Sequence, residues 1–371
     1  MLIYLVIFIP ILLYLIKKFA NGRFTNLRRN MTGKLVVITG ASAGLGKETA
    51  FQLLNDGADV IFACRDELKT MKVINSLGQK DIIKRAHFIK LDLTSFESVH
   101  KFSEEIKNKF QYIDVLMNNA GLFPTKYYVT KNNIESAFQT NVLSHILLTY
   151  TLLPHFNKNG GKVINLSSHF HEFSDYTSEN LKSLINLEKS SNSFKSYEKL
   201  YYSNVIKCNT LYGNTKVGNI FFTQILAEYL EKFYPHIKTV SLHPGAVFTD
   251  FTSNSMSSNF FIRIFYYIVT PIIYLFFRSP IAGAQTQLHL TYMDLKELVN
   301  GAYYENCRNN TKSTSNVAKN KDIRDLFIDY CHLMLKKNYH TDNKDIQSLF
   351  SNSYRLIVQV KNILDKHEFL N

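Results

Sequence analysis

The chain has 371 residues, with 43 lysines and arginines against 30 acidic residues and a net charge of +13. That balance could suit nucleic acid, but the lysines are scattered among asparagines with no reading motif, so it reads as a solvated surface. Four cysteines (Cys64, Cys208, Cys307 and Cys331) show no paired metal spacing, which excludes a metal centre and a disulfide framework as expectations.

In chain order, Met1 to Ile16 carries no charged side chain, and Lys17, Lys18, Arg23, Arg28, Arg29 and Lys34 follow before the first acidic residue, Glu48. This predicts an uncleaved membrane anchor over 1–20 and a basic linker over 21–33. The uncharged run is shorter than the ~20 residues of a usual span and is interrupted by Pro10. A cleaved secretory signal would carry its positive charge on the other side. The positive-inside rule then puts the remainder in the cytosol, on a membrane of the endoplasmic-reticulum type.

Apolar, strand-like segments are predicted at 35–39, 59–63, 86–91, 113–117, 162–167, 237–242 and 301–304. Helical patterns lie between them near 45–56, 66–77, 95–110, 132–156, 209–234, 280–294 and 322–337. Such alternation implies an α/β fold, a Rossmann-type doubly wound parallel sheet with helices on both faces. A single domain over 34–338 fits better than two. Beyond it, 339–371 reads as a helical extension whose apolar residues include Leu349, Phe350, Leu356 and Val360.

The first strand runs into Gly40-Ala-Ser-Ala-Gly44-Leu-Gly46 and then a helix. Strand, glycine turn and helix in that order form a phosphate-binding entry. There the backbone approaches a pyrophosphate that meets the free N–H groups and positive end of the helix. Farther on, Tyr212 and Lys216 stand four residues apart, about one helical turn, on one face. A fixed positive charge near a phenol favours phenolate and would move its pKa down towards neutrality. Ser168, at the end of the strand-like Val163-Ile-Asn-Leu-Ser-Ser168, could hold a carbonyl or alcohol oxygen.

Six motifs in order make the chain similar to the short-chain dehydrogenase/reductase family from about Lys34 to about Leu335. They are Thr39-Gly-Ala-Ser-Ala-Gly-Leu-Gly46, Asn118-Asn-Ala-Gly121, Asn141, Ser168, Tyr212 with Lys216, and Pro244-Gly245 with Thr249. Within the family it most resembles the microsomal retinol dehydrogenase branch. That likeness lies in Ala63-Cys-Arg-Asp66, Lys90-Leu-Asp-Leu93, Leu242-His-Pro-Gly245 and Gly283-Ala-Gln-Thr286. The resemblance implies a catalytic set of Asn141, Ser168, Tyr212 and Lys216, with Asn141 anchoring a water that relays protons to the lysine. It also implies cofactor contacts from Gly40, Ser42, Gly44, Leu45, Gly46, Asp92, Asn118, Gly121, Tyr212, Lys216, Pro244, Gly245 and Thr249.

Arg65 follows the second strand, where a carboxylate would select NAD(H) through the ribose hydroxyls. A guanidinium there suits a 2′-phosphate, so NADP(H) is the expected cofactor, while Asp66 leaves NAD(H) open. Asp92 reads either as an adenine contact or as a helix N-terminal cap. The stretch 169–211, longer than the branch usually has between Ser and Tyr, is polar and turn-rich and borders the substrate entrance. An insertion there also resembles a light-dependent reductase branch. His169 and His171 are read as part of this insert, not as metal ligands. Within a substrate lid over 251–279, Phe260 to Phe277 reads either as helices dipping into a bilayer or as a buried cover. The expected function is hydride transfer on a hydrophobic alcohol or carbonyl of retinoid, sterol or lipid-aldehyde type. A catalytically silent nucleotide-binding scaffold is the alternative. Oligomeric state is left open.

Overall fold

The computed structural model describes residues 2–189, 205–247 and 274–339. Strand β1 (Leu35–Thr39) is buried along its whole length, as are β4 (Val115–Asn118) and β5 (Gly161–Leu166). The others are β2 (Asp59–Cys64), β3 (Ala86–Lys90), β6 (Ile237–His243), β7 (Tyr303–Glu305) and β8 (Arg308–Asn309). Their order across the sheet is β3-β2-β1-β4-β5-β6-β7-β8. Neighbours pair in parallel except β7 and β8, which are antiparallel. Strands covered on both faces are largely apolar, which is why they read as short apolar runs, with the polar exceptions Asn118 and Asn165 bonded to each other inside the sheet.

Alternation along the strands splits the core in two. Val36, Ile38, Val60, Phe62 and Met117 face a layer with α2 (Gly44–Asn55), α3 (Glu67–Asn75) and a later helix, Gln285–Tyr292. Val37, Ile61, Leu116 and Val163 face α4 (Phe96–Lys109), α5 (Ser144–Leu152) and the helices farther along the chain. The chain order reverses between β1 and β4, and the crevice beyond the strand ends at such a switch point is where ligands bind in open α/β sheets.

Two segments depart from expectation. The stretch after Ser168 is not simply a loop: His169–Phe173 forms a 3₁₀ turn, and α6 (Ser178–Lys189) buries Leu181 and Leu184 in the core. It packs against α9 (Lys321–Asn338), while α7 (Val205–Phe233) carries Tyr212 and Lys216 in its interior. Helix α8 is Gln285–Tyr292. The polar remainder of the insert, Thr249, most of the 251–279 lid and the extension beyond 339 lie outside the described residues.

The N-terminus also differs. Helix α1 spans Leu2–Asn21 with Pro10 inside it, but among the described residues no helix is long and apolar enough to cross a membrane. A spanning anchor over 1–20 is therefore not supported. The 21–33 stretch is laid against the domain instead of hanging free. Arg28 pairs with Asp56 at 2.6 Å, Arg29 grips Asp294 through two bonds of 2.6 and 2.8 Å, and Met31 is buried. Two parallel bonds from one guanidinium add directional specificity that a point charge lacks.

Candidate active site

A cavity of about 1060 Å³ opens at the strand ends, at the switch point. Its floor on one side is the β1–α2 turn. Ala43, the residue before α2, is extended and gives the helix no side-chain cap, so among the described residues the first N–H groups of α2 are left without a capping side chain. Gly44 and Leu45 line the cavity with Gly40. Gly46 serves close packing instead, since a Cβ there would lie 2.6 Å from Asn119 Nδ2 and 2.8 Å from the Gly40 carbonyl oxygen. Only glycine lets helix and strand end approach this closely.

Several expected contacts sit elsewhere. Ser42 is not among the cavity-lining residues. The side chain of Asn118 is turned into the sheet interior, donating to Thr149 Oγ1 at 3.0 Å and Asn165 Oδ1 at 2.8 Å. The cleft is lined instead by its neighbour Asn119, which donates to the Thr39 carbonyl at 2.8 Å and accepts from Gln287 at 2.9 Å. Asp92 accepts from Thr94 N at 3.0 Å and Thr94 Oγ1 at 2.7 Å. It thus closes the turn before α4, whose cap is Ser95. Arg65 is exposed and makes no ion pair among the described residues. Asp66 is engaged as the N-cap of α3, accepting from Lys69 N at 2.9 Å.

At the other end of the cavity stand Ser168, Tyr212 and Lys216, with Gly121 beside them. Ser168 ends the β5 segment and caps the 3₁₀ turn, its Oγ accepting from Phe170 N at 3.3 Å. Tyr212 is packed by Phe123 and Phe170, ring centres 5.2 and 5.5 Å away. Lys216 is 2 % exposed, its ammonium 5.3 Å from the Tyr212 ring centre and donating to the Leu166 carbonyl at 3.1 Å.

Asn141 lies in a π-helical turn, Gln139–Leu143, a local widening found often at functional positions. Its side chain is fully committed to protein. Nδ2 donates to the Leu122 carbonyl at 2.9 Å and Thr215 Oγ1 at 3.1 Å, and Oδ1 accepts from Leu122 N at 2.8 Å. One turn on, His145 Nδ1 lies 3.3 Å from the Asn141 carbonyl oxygen and Nε2 lies 3.0 Å from Thr39 Oγ1. A carbonyl only accepts, so Nδ1 holds the proton and Nε2 accepts from the hydroxyl.

Burial decides the charges. It pushes the Tyr212 phenol above its ordinary value and lowers the Lys216 ammonium to about 8. This direction is opposite to the one expected from the lysine alone, because taking the phenolate out of water disfavours it. His145 is lowered to about 4, chiefly by burial, and stays neutral.

Pro244 and Gly245 line the cavity opposite these groups. Arg278, which the sequence offered only as the end of an apolar run, holds that loop. Its Nη1 donates to the Pro244 carbonyl at 3.0 Å and its backbone N to the Ala246 carbonyl at 2.7 Å. No local signal identifies it, because the contact spans the lid. Asn119 was legible, since neighbours at a strand end point to opposite sides.

An uncapped helix N-terminus, a glycine cradle and a tyrosine–lysine pair at a sheet switch point define a nucleotide-dependent oxidoreductase, and these residues fit a nicotinamide nucleotide. The short chain dehydrogenase family matches over residues 34–177. Mouse retinol dehydrogenase 12 is 32% identical over 294 residues, covering 79% of this chain and 84% of that one. Human retinol dehydrogenase 14 is 31% identical over 315 residues, covering 79% and 85%. The chain belongs to the short-chain dehydrogenase/reductase family, with retinol dehydrogenase-like sequence, and is an oxidoreductase acting on CH–OH groups.

Solved structures share the fold. An uncharacterized protein from Mycobacterium paratuberculosis matches with a TM-score of 0.61 at 23% identity, over 86% of this chain and 100% of its own. A Burkholderia cenocepacia short chain dehydrogenase in complex with NADP matches with a TM-score of 0.52 at 20% identity, over 75% and 97%.

Proposed function

We propose that this protein is an NADP(H)-preferring oxidoreductase that interconverts hydrophobic alcohols and carbonyls, of retinoid, sterol or lipid-aldehyde type. The observation that carries the reading is Tyr212, partly buried and packed between two phenylalanines beside Lys216 and Ser168 in one cavity. A phenol that burial keeps protonated is the form a general acid needs. Tyr212 donates its proton to the substrate oxygen during reduction and takes the hydroxyl proton during oxidation. Ser168 Oγ donates a hydrogen bond to that same oxygen and fixes its position. Lys216, charged below about pH 8, stabilises the phenolate that reduction leaves behind. Asn141 ties α7 to the segment after β4 and keeps the lysine in register. The nicotinamide supplies the hydride.

Arg65 supports the NADP(H) preference: it is exposed directly after β2, the neighbour of β1 in the sheet, while the carboxylate after it is occupied as a helix cap. The NADP bound to the Burkholderia relative is in keeping with this preference. The names of the retinol dehydrogenase relatives favour an apolar substrate.

We also propose attachment to the endoplasmic-reticulum membrane from the cytosolic side. Exposed Ile9, Ile11, Leu12, Leu13 and Leu15 make an apolar patch on α1, of the kind that marks interaction sites. The basic residues after it would meet anionic headgroups.

The test is a panel of lipid aldehydes, ketones and alcohols with the full chain in detergent micelles, read by nicotinamide absorbance. Turnover of apolar carbonyls with NADPH is expected. Absence of turnover across the panel with either nicotinamide would refute the reading.

A further inference from the structure

Phe19, Ala20 and Gly22, from the end of α1, line the same cavity as Ser168, Tyr212 and Lys216. They are far from those residues in sequence, so their presence is a product of specific docking. Lys17 Nζ donates to the carbonyl oxygens of Tyr274 at 2.6 Å and Phe277 at 2.7 Å. Asn21 Oδ1 accepts from Ser279 N at 3.1 Å, and Asn306 Oδ1 accepts from Arg23 N at 2.7 Å.

The same Asn306 oxygen accepts from Arg278 Nη2 at 3.1 Å, and Arg278 in turn holds the Pro244 carbonyl. Gly22 sits at this joint with φ of +70°, and a Cβ there would lie 2.5 Å from Asn306 Oδ1. The backbone therefore passes the latch as closely as a residue without a side chain allows. A simple tether would need none of these contacts.

Phe19 is 90% exposed although it lines the cavity, so its ring stands at the mouth. An exposed ring gains most from a ligand that covers it. Burying a phenylalanine corresponds to roughly tenfold or more in affinity.

We infer that the end of the N-terminal helix is a wall of the substrate site, and that Phe19 is a specificity-determining residue closing on the apolar tail of an alcohol or carbonyl. This rests on the oxidoreductase reading above and adds a selectivity for length. A short substrate reaches Ser168 and Tyr212 without touching the ring, whereas a long one passes under it.

The experiment uses the full chain in detergent micelles with a short-chain and a long-chain saturated aldehyde. Phe19→Ala should raise KM for the long aldehyde about tenfold and leave kcat/KM for the short one within about twofold. Val299→Ala, at an exposed apolar residue away from the cavity, should change neither. A binding readout needs no turnover: the chain has no tryptophan, so the indole of an Ala20→Trp variant reports alone. A brominated long-chain alcohol should quench its emission saturably, with the unbrominated alcohol competing. An unchanged long-to-short ratio in Phe19→Ala together with an unquenched indole overturns the wall. Saturable quenching without reduction of either aldehyde supports the wall and removes the substrate reading instead.

Discussion

The ammonium nitrogen of Lys216 lies 5.3 Å from the centre of the Tyr212 ring while donating to the Leu166 carbonyl at 3.1 Å. The lysine is thus tethered to the end of β5, and its position relative to the phenol follows from how α7 packs on the sheet. Ser167 Oγ, donating to the Lys216 carbonyl at 2.8 Å, fastens the same joint from the strand side.

The alkaline limb of activity follows from that burial. Lys216 keeps its charge below about pH 8 and loses it above, so carbonyl reduction should decline through that region. Lys216→Arg should retain some activity and move the decline upward, because a guanidinium stays protonated. A limb at the same pH in the variant would assign the decline to another group.

Tyr212→Phe should lower turnover by at least about a hundredfold, since the phenol is the only general acid in the scheme. Binding of NADPH, followed by fluorescence or calorimetry, should persist, because the β1–α2 turn and Arg65 are untouched. Near wild-type turnover would remove Tyr212 from the chemistry.

Arg65→Asp should shift preference from NADPH towards NADH. Loss of a charge-assisted contact corresponds to about ten- to a hundredfold. Asp66 is already bonded to Lys69 N, so the discrimination rests on Arg65 alone. Equal use of both cofactors by the wild type would defeat the argument.

Buried neutral histidines should make the fold sensitive to acid. Burial lowers His145 and His332 from 6.5 to about 4, and His243 to about 3. As pH falls below 6.5 the unfolded chain takes up protons that these native side chains refuse, so stability drops. Each such histidine costs roughly 1.4 kcal/mol per pH unit until its folded pKa is reached. The unfolding temperature should therefore fall steadily from about pH 6.5 to 4, less steeply in His332→Gln. A flat profile in that range would show that these histidines are hydrated.

Much of the sheet was legible because strands covered on both faces read as short apolar runs, of which Leu35–Thr39 is the clearest. Helix α6 was missed because serine, asparagine and lysine dominate it, although Leu181, Leu184 and Ile185 carry the helical spacing. Two-residue β8 is too short to leave a pattern. Tyr212, Lys216 and Ser168 were readable from local spacing and are brought to one cavity. The latch through Lys17, Arg278 and Asn306 was not readable, since its partners meet only after the chain has closed. The direction of the Tyr212 shift escapes local reading for a similar reason: the phenylalanines that dry the phenol come from other segments.

That latch has a consequence for biosynthesis. Lys17 and Arg23 find their partners 257 to 283 residues downstream, so α1 is synthesised well before the segments on which its end docks. At typical elongation rates the wait is on the order of tens of seconds. Throughout it, the apolar face of α1 is presented without the residues that later hold its end.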